Sequence, residues 1–138
     1  MTIASYTVQK SYDPGFQSIK AKEIADSLFG LTNINAQYGL TAKAGGGATG
    51  AKQLIGGMNE VATVASANDS LLLPRAAPGT FVWLTNNAAA NDAKLYTPEG
   101  ATVTINGTSG ATGVTITHAK SYLFACVSPT KWVSILTA

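Results

Sequence analysis

An all-β fold is what this sequence predicts: a small β-sandwich or barrel of jelly-roll type, about eight short strands, with an extended N-terminal arm and one short helix. Three observations carry that expectation. Short apolar segments recur at regular intervals from Asn59 to Leu136, with turn residues between them. Several alternate apolar and polar side chains with a period of two, as a strand with one buried face does. Charged residues make up 12% of the 138 residues, against about 25% in an ordinary soluble domain, so the exterior is built from Ala, Thr, Ser, Asn and Gly.

The first part of the chain reads as an appendage covering residues 1–57. Ile3, Tyr6, Val8, Tyr12 and Phe16 are spaced among polar residues up to the turn Asp13-Pro14-Gly15, which predicts an extended arm. Aromatic side chains on such an arm gain energy only when they dock, so Tyr6, Tyr12 and Phe16 are candidate interface residues. From Ser18 to Phe29 the residues Ile24, Ala25, Leu28 and Phe29 fall at helical spacing and Gly30 follows as a stop, predicting one short amphipathic helix. Ile24, Leu28 and Phe29 would form its contact face. Leu31 to Leu40 reads as a strand or an ordered loop.

The run AKAGGGATGAKQL, Ala42 to Leu54, tests a nucleotide-binding reading and fails it. A phosphate loop needs its lysine directly after the second glycine, followed by a hydroxyl residue for magnesium. Here Ala51 intervenes before Lys52, and Gln53 stands in the hydroxyl position. The run is expected to be a connector.

The β-rich domain is placed at 58–138 and centred on the stretch Asp69 to Gly100. Strands are expected at Asn59–Ala65, Ser70–Leu73, Thr80–Asn86, Ala93–Tyr96, Ala101–Ile105, Val114–Thr117, Ser121–Val127 and Lys131–Leu136. Leu71 to Leu73 and Phe81 to Leu84 are apolar throughout, as strands buried on both faces are. Val103 and Ile105 alternate with Thr102 and Thr104, and Val114 and Ile116 with Thr115 and Thr117. NGTSGATG between them reads as a long hairpin loop. Ser128-Pro129-Thr130 reads as a tight turn closing a final hairpin, with Phe124 and Trp132 offered to the core.

Composition excludes several chemistries. The formal net charge is +2 and the basic residues are scattered from Lys10 to Lys131, so there is no clustered footprint for nucleic acid. No apolar stretch is long enough to cross a bilayer as a helix, and the first residues lack a secretory signal pattern. Cys126 is the single cysteine and, inside the apolar run Tyr122 to Val127, reads as a core residue. With one Cys and one His there is no structural zinc set, and no calcium loop pattern occurs. His118 reads as a solvated strand-end residue instead of a catalytic base. Asp69 and Asp92 read as turn-stabilising carboxylates. A surface-aromatic platform for sugars or bases could draw on Tyr38, Tyr96, Trp83 or Trp132, but the two tryptophans lie in apolar runs and read as buried. Neither catalytic residues, nor cofactor, nor metal are expected.

Taken in order, the phrases AGGGATGAKQL, NEVATVASANDSLLLP, APGTFVWLTNN, LYTPEGATVTING and KSYLFACVSPTKW resemble a class of tailed-bacteriophage virion surface proteins built on a β-rich module. The resemblance covers about Ala42 to Val133. It implies a capsid decoration (cement) or head-fibre-like protein on the outer capsid surface, often a homotrimer, with the major capsid protein as partner. A fibre or knob component of head or tail, binding a host receptor or carbohydrate through loops Asn87 to Asp92 and Thr108 to Gly113, is the alternative. A small glycanase or lyase would need two carboxylates facing each other across a pocket.

Overall fold

A computed structural model describes residues 35–137. The expected arm and helix, and with them Tyr6, Tyr12, Phe16, Ile24, Leu28 and Phe29, lie outside the described residues. Within these residues the fold is all β. Its strands are β1 (Ala36–Thr41), β2 (Lys52–Gln53), β3 (Gly57–Thr63), β4 (Asp69–Leu72), β5 (Phe81–Asn86), β6 (Ala93–Tyr96), β7 (Thr104–Ile105), β8 (Thr108–Ser109), β9 (Val114–Ile116), β10 (Lys120–Ser128) and β11 (Lys131–Thr137). One 3-10 turn, Gly100–Thr102, stands where a strand was expected to begin.

The expected sandwich or barrel gives way to a short β-solenoid. The chain alternates between two sheets as it winds: β1, β3 and β5 pair in parallel in one, β2, β4 and β6 in parallel in the other. Each odd-even pair is one coil. The antiparallel strands come last: β9 closes onto β6, and β10 onto β5. Strand β11 then pairs with β10 and carries β7 and β8 at the far edge, giving the orders β1-β3-β5-β10-β11-β7-β8 and β2-β4-β6-β9. Alternation of period two marks a half-buried strand in any such arrangement, so it does not separate parallel coils from an antiparallel sandwich.

Three further expectations are corrected. The compact unit begins at Asn35, not at Met58, because β1, the Gly-rich bend and β2 form the first coil. The NGTSGATG segment is no long loop: Asn106 and Gly107, both at positive φ (52° and 85°), make a tight turn between β7 and β8. Val114 to Ile116 then pairs in the other sheet, not with Val103 to Ile105. The closing hairpin of β10 and β11 forms as expected.

One apolar core lies inside the coils, with Leu40, Val61, Val82, Leu84, Phe124 and Trp132 from one sheet and Leu54, Leu71, Leu95 and Ile116 from the other. Cys126 is buried there, as expected, with Sγ 3.2 Å from the Ser128 carbonyl. Asparagines hold the corners. Asn59, buried, accepts from the Ile55 N–H at 3.0 Å and donates to the carbonyls of Ile55 (2.9 Å) and Trp83 (3.2 Å). Asn86 donates to Asn91 and Ile116 carbonyls, and Asn91 reaches the Val64 and Ala65 carbonyls. These side chains satisfy backbone groups that leave the ladders where the chain turns.

Candidate interaction face

The alternation along β5 decides the site. Val82, Leu84 and Asn86 point inward and are buried, which leaves Phe81, Trp83 and Thr85 on the outer side of the sheet. The expectation that Trp83 is buried, like Trp132, is therefore corrected. Trp132 belongs to the core set of β11, with no exposed surface, whereas Trp83 is half-buried on the outside. FVWL is apolar on both faces, but only one face meets the core.

Neighbouring strands extend this outer surface. The register runs Ala36, Met58, Trp83, Leu123 and Ile135 straight across β1, β3, β5, β10 and β11. Beside it runs a second row of Phe81, Ala125 and Val133. On the other side Glu60, Thr85 and Ser121 form a polar row. Tyr38 is 82% exposed, Ile135 67% and Phe81 58%. Large apolar side chains standing together on a sheet face are the surface a protein partner covers.

Near β1 the face dips into a shallow groove of about 240 Å³ between Tyr38, Met58 and Trp83, with Gln37, Glu60 and Thr85 around it. The side chains of Gln37, Thr85 and Glu60 around it are engaged. Gln37 Nε2 donates to Gln53 O and Asn59 Oδ1, and Thr85 Oγ1 lies 2.8 Å from Ser121 Oγ. Glu60 accepts from the Gly39 N–H and from Asn87 Nδ2. The Gly39 bond first, then the Asn87 one, hold its carboxyl below the usual range. What the groove offers a visitor is mostly carbon surface, with the Tyr38 and Trp83 rings at its edge.

The remaining carboxylates among the described residues serve the backbone. Asp69, buried, accepts from Gly45 N and Ser66 N, both at 3.0 Å, which bears out its reading as a turn carboxylate and also ties the first coil to the second. Glu99 accepts from Ala76 N at 2.7 Å. Asp92 accepts from His118 N at 2.9 Å and lies 3.3 Å from the His118 ring. The two residues flank the Ala93–Ile116 pair, so the contact prolongs the β6–β9 ladder. His118 is exposed at the strand end, as expected. Among the described residues no cluster of His, Cys, Asp or Glu could hold a metal, and no helix is long and apolar enough to cross a membrane.

The His118 backbone bond, then its ring, hold the Asp92 carboxyl below its usual range. A depressed carboxylate stabilises the fold above its unfolded value of about 3.9, and that contribution disappears as pH falls through the lower folded value. Urea midpoints for wild type and Asp92→Asn should therefore differ at neutral pH and converge below about pH 4. A constant gap across that window would contradict it.

The Gly-rich run forms the bend between β1 and β2, with Gly45 and Gly47 at positive φ. The residues that reading from sequence missed are Met58, Phe81, Val133 and Ile135, whereas Tyr38, a candidate surface aromatic, is exposed. Their signal was present in strands apolar on both alternating sets. No family model, curated protein or solved structure matches the chain.

Proposed function

We propose that this chain is a non-enzymatic structural protein of a tailed-phage virion, a decoration (cement) protein that stabilises the capsid from its outer surface. The observation that carries the reading is the outer face of the β1-to-β11 sheet, an apolar surface five strands wide. Such a face gains energy by being covered, at about 25 cal/mol per Å² before the entropy of association. The scarcity of charge and the ordered phrases resembling phage virion proteins support it further. In this reading the partners are the major capsid protein and other copies of the chain, a trimer in the class it resembles. Neither nucleic acid nor membrane takes part, and no cofactor is used.

The residues 1–30 fasten the β-unit to the shell in this proposal, through Tyr6, Tyr12, Phe16, Ile24, Leu28 and Phe29. Expanded capsids incubated with intact protein should resist heat better than capsids incubated with protein lacking residues 1–30. Equal protection by both would refute the arm. A fibre or knob component binding a receptor or carbohydrate is the second reading, favoured by Tyr38 and Trp83 beside the groove. Gln37 and Glu60 beside those rings are already engaged, which leaves a sugar few polar side chains to bond and places this reading second.

A further inference from the structure

We infer that the groove between Tyr38, Met58 and Trp83 seats the guanidinium of an arginine presented by a protein partner. This rests on the reading of the outer sheet face as a contact surface, and adds the chemistry of the group that enters it. Carbon surface alone would accept any apolar side chain. The groove also carries one charge, because Glu60 is the one charged residue of its lining.

Strand pairing sets that charge against the rings. Met58 and Glu60, two residues apart, stand on the same side of β3, with Trp83 beside Met58 and Thr85 beside Glu60 on β5. Trp83 is thus the diagonal neighbour of Glu60, within reach of a long side chain laid between them. On the other flank the Gly39 N–H donates to Glu60 Oε1 at 2.9 Å, which brings the carboxylate against the β1 residue next to Tyr38. Neither ring stacks on another aromatic ring among the described residues.

Glu60 is held in place and charged. Besides the Gly39 bond to Oε1, its Oε2 accepts from Asn87 Nδ2 at 2.9 Å, and the two bonds, Gly39 first, keep the carboxyl below its usual range. An ionised carboxylate has about two acceptor sites on each oxygen, so each oxygen keeps one. The acid–base contact found among the described residues is His118 with Asp92, so no cation among them neutralises Glu60.

Two acceptor sites side by side, next to aromatic faces, match a guanidinium. Its planar fork donates to both carboxylate oxygens while its flat face lies on a ring. An ammonium is a compact, strongly hydrated point charge, and a quaternary ammonium has no N–H to donate. A sugar hydroxyl brings no charge to set against the carboxylate. Size selects a side chain over a free ligand: the groove's volume of about 240 Å³ falls short of the roughly 300–1,000 Å³ of small-molecule sites.

Titrating the full chain with N-acetyl-arginine methylamide, followed by NMR, tests this. The Trp83 indole N–H and the Tyr38 and Glu60 amides should shift together, with a dissociation constant on the order of millimolar for one side chain. Glu60→Gln, and separately Trp83→Leu, should raise that constant about threefold or more with unchanged circular dichroism. The citrulline analogue, similar in shape and uncharged, and the lysine analogue should each bind several times more weakly. Equal affinity for the three probes, no shift at these residues up to tens of millimolar, or unchanged binding by both variants would overturn the inference. Probe binding here, together with phage particles that lack the protein, upholds the guanidinium site and overturns the virion reading. Particles that carry the protein with Trp83 covered and no arginine against Glu60 overturn the site alone.

Discussion

Asn59→Ala should lower the stability of the β-unit by about 3–5 kcal/mol, because it removes one amide and strands several buried partners at once. The amide joins two coils and the corner before β3. Its oxygen takes the Ile55 N–H and Gln37 Nε2, and its nitrogen serves the carbonyls of Ile55, Gly57 and Trp83. Alanine leaves the Ile55 N–H and these carbonyls to a site from which water is excluded, at about 1–3 kcal/mol for each group left unsatisfied. Asn59→Asp should do no better, since a carboxylate would point at carbonyl oxygens instead of donating to them. Urea denaturation with fixed slope is the measurement. A loss under about 1 kcal/mol would show that the corner relaxes and re-forms its bonds elsewhere.

Asp69→Ala should cost about 3–4 kcal/mol, with a different signature. The Asp69 carboxylate is buried and holds the Gly45 and Ser66 N–H groups, one in each of two successive coils. Hydrogen bonds to a charged group contribute about 1.5–3 kcal/mol each. Asp69→Asn keeps one acceptor but turns an NH2 group toward an N–H donor, so it should lose most of that stabilisation too. The Gly-rich bend should open before the rest. Amide exchange at Gly45, and at Lys43 and Ser70, which bond each other's backbone, should accelerate in Asp69→Asn well beyond exchange in β10. Uniform acceleration across the unit would contradict the staple role.

Much of the architecture was legible because strand signals are local. The hairpin of β10 and β11 could be read from a tight turn between two apolar runs, and the burial of Trp132 and Cys126 from their place in those runs. Parallel winding was not legible from alternation, since Val103-Ile105 and Val114-Ile116 alternate alike and yet sit in different sheets. The signal that could have found it is repetition: Ala67-Asn68-Asp69 returns as Ala90-Asn91-Asp92, each just ahead of strand pairing in the smaller sheet. Coils of roughly 20–25 residues are what such a repeat announces. The strand β2 is two residues long, too short to stand out in any sequence pattern.

The interaction face was half visible. A charge-poor exterior predicts that neighbours cover much of it, and the strands FVWL, YLFACV and KWVSIL carry apolar residues on both sets of positions. Read as strands buried on both faces, they hide the face; set in a fold whose core takes Val82, Leu84 and Phe124, they expose Phe81, Trp83, Val133 and Ile135. Turn chemistry, by contrast, was assigned correctly at Asp69 because an aspartate ahead of a strand bonds nearby backbone for local reasons.

The claim that this chain works through contact area on a virion is tested most directly by imaging intact phage particles at a resolution that traces the chain. The expected result is many copies on the outer capsid surface, with Trp83 and Ile135 covered. Particles without the protein, or with a few copies whose outer sheet face stands open to solvent, would contradict it.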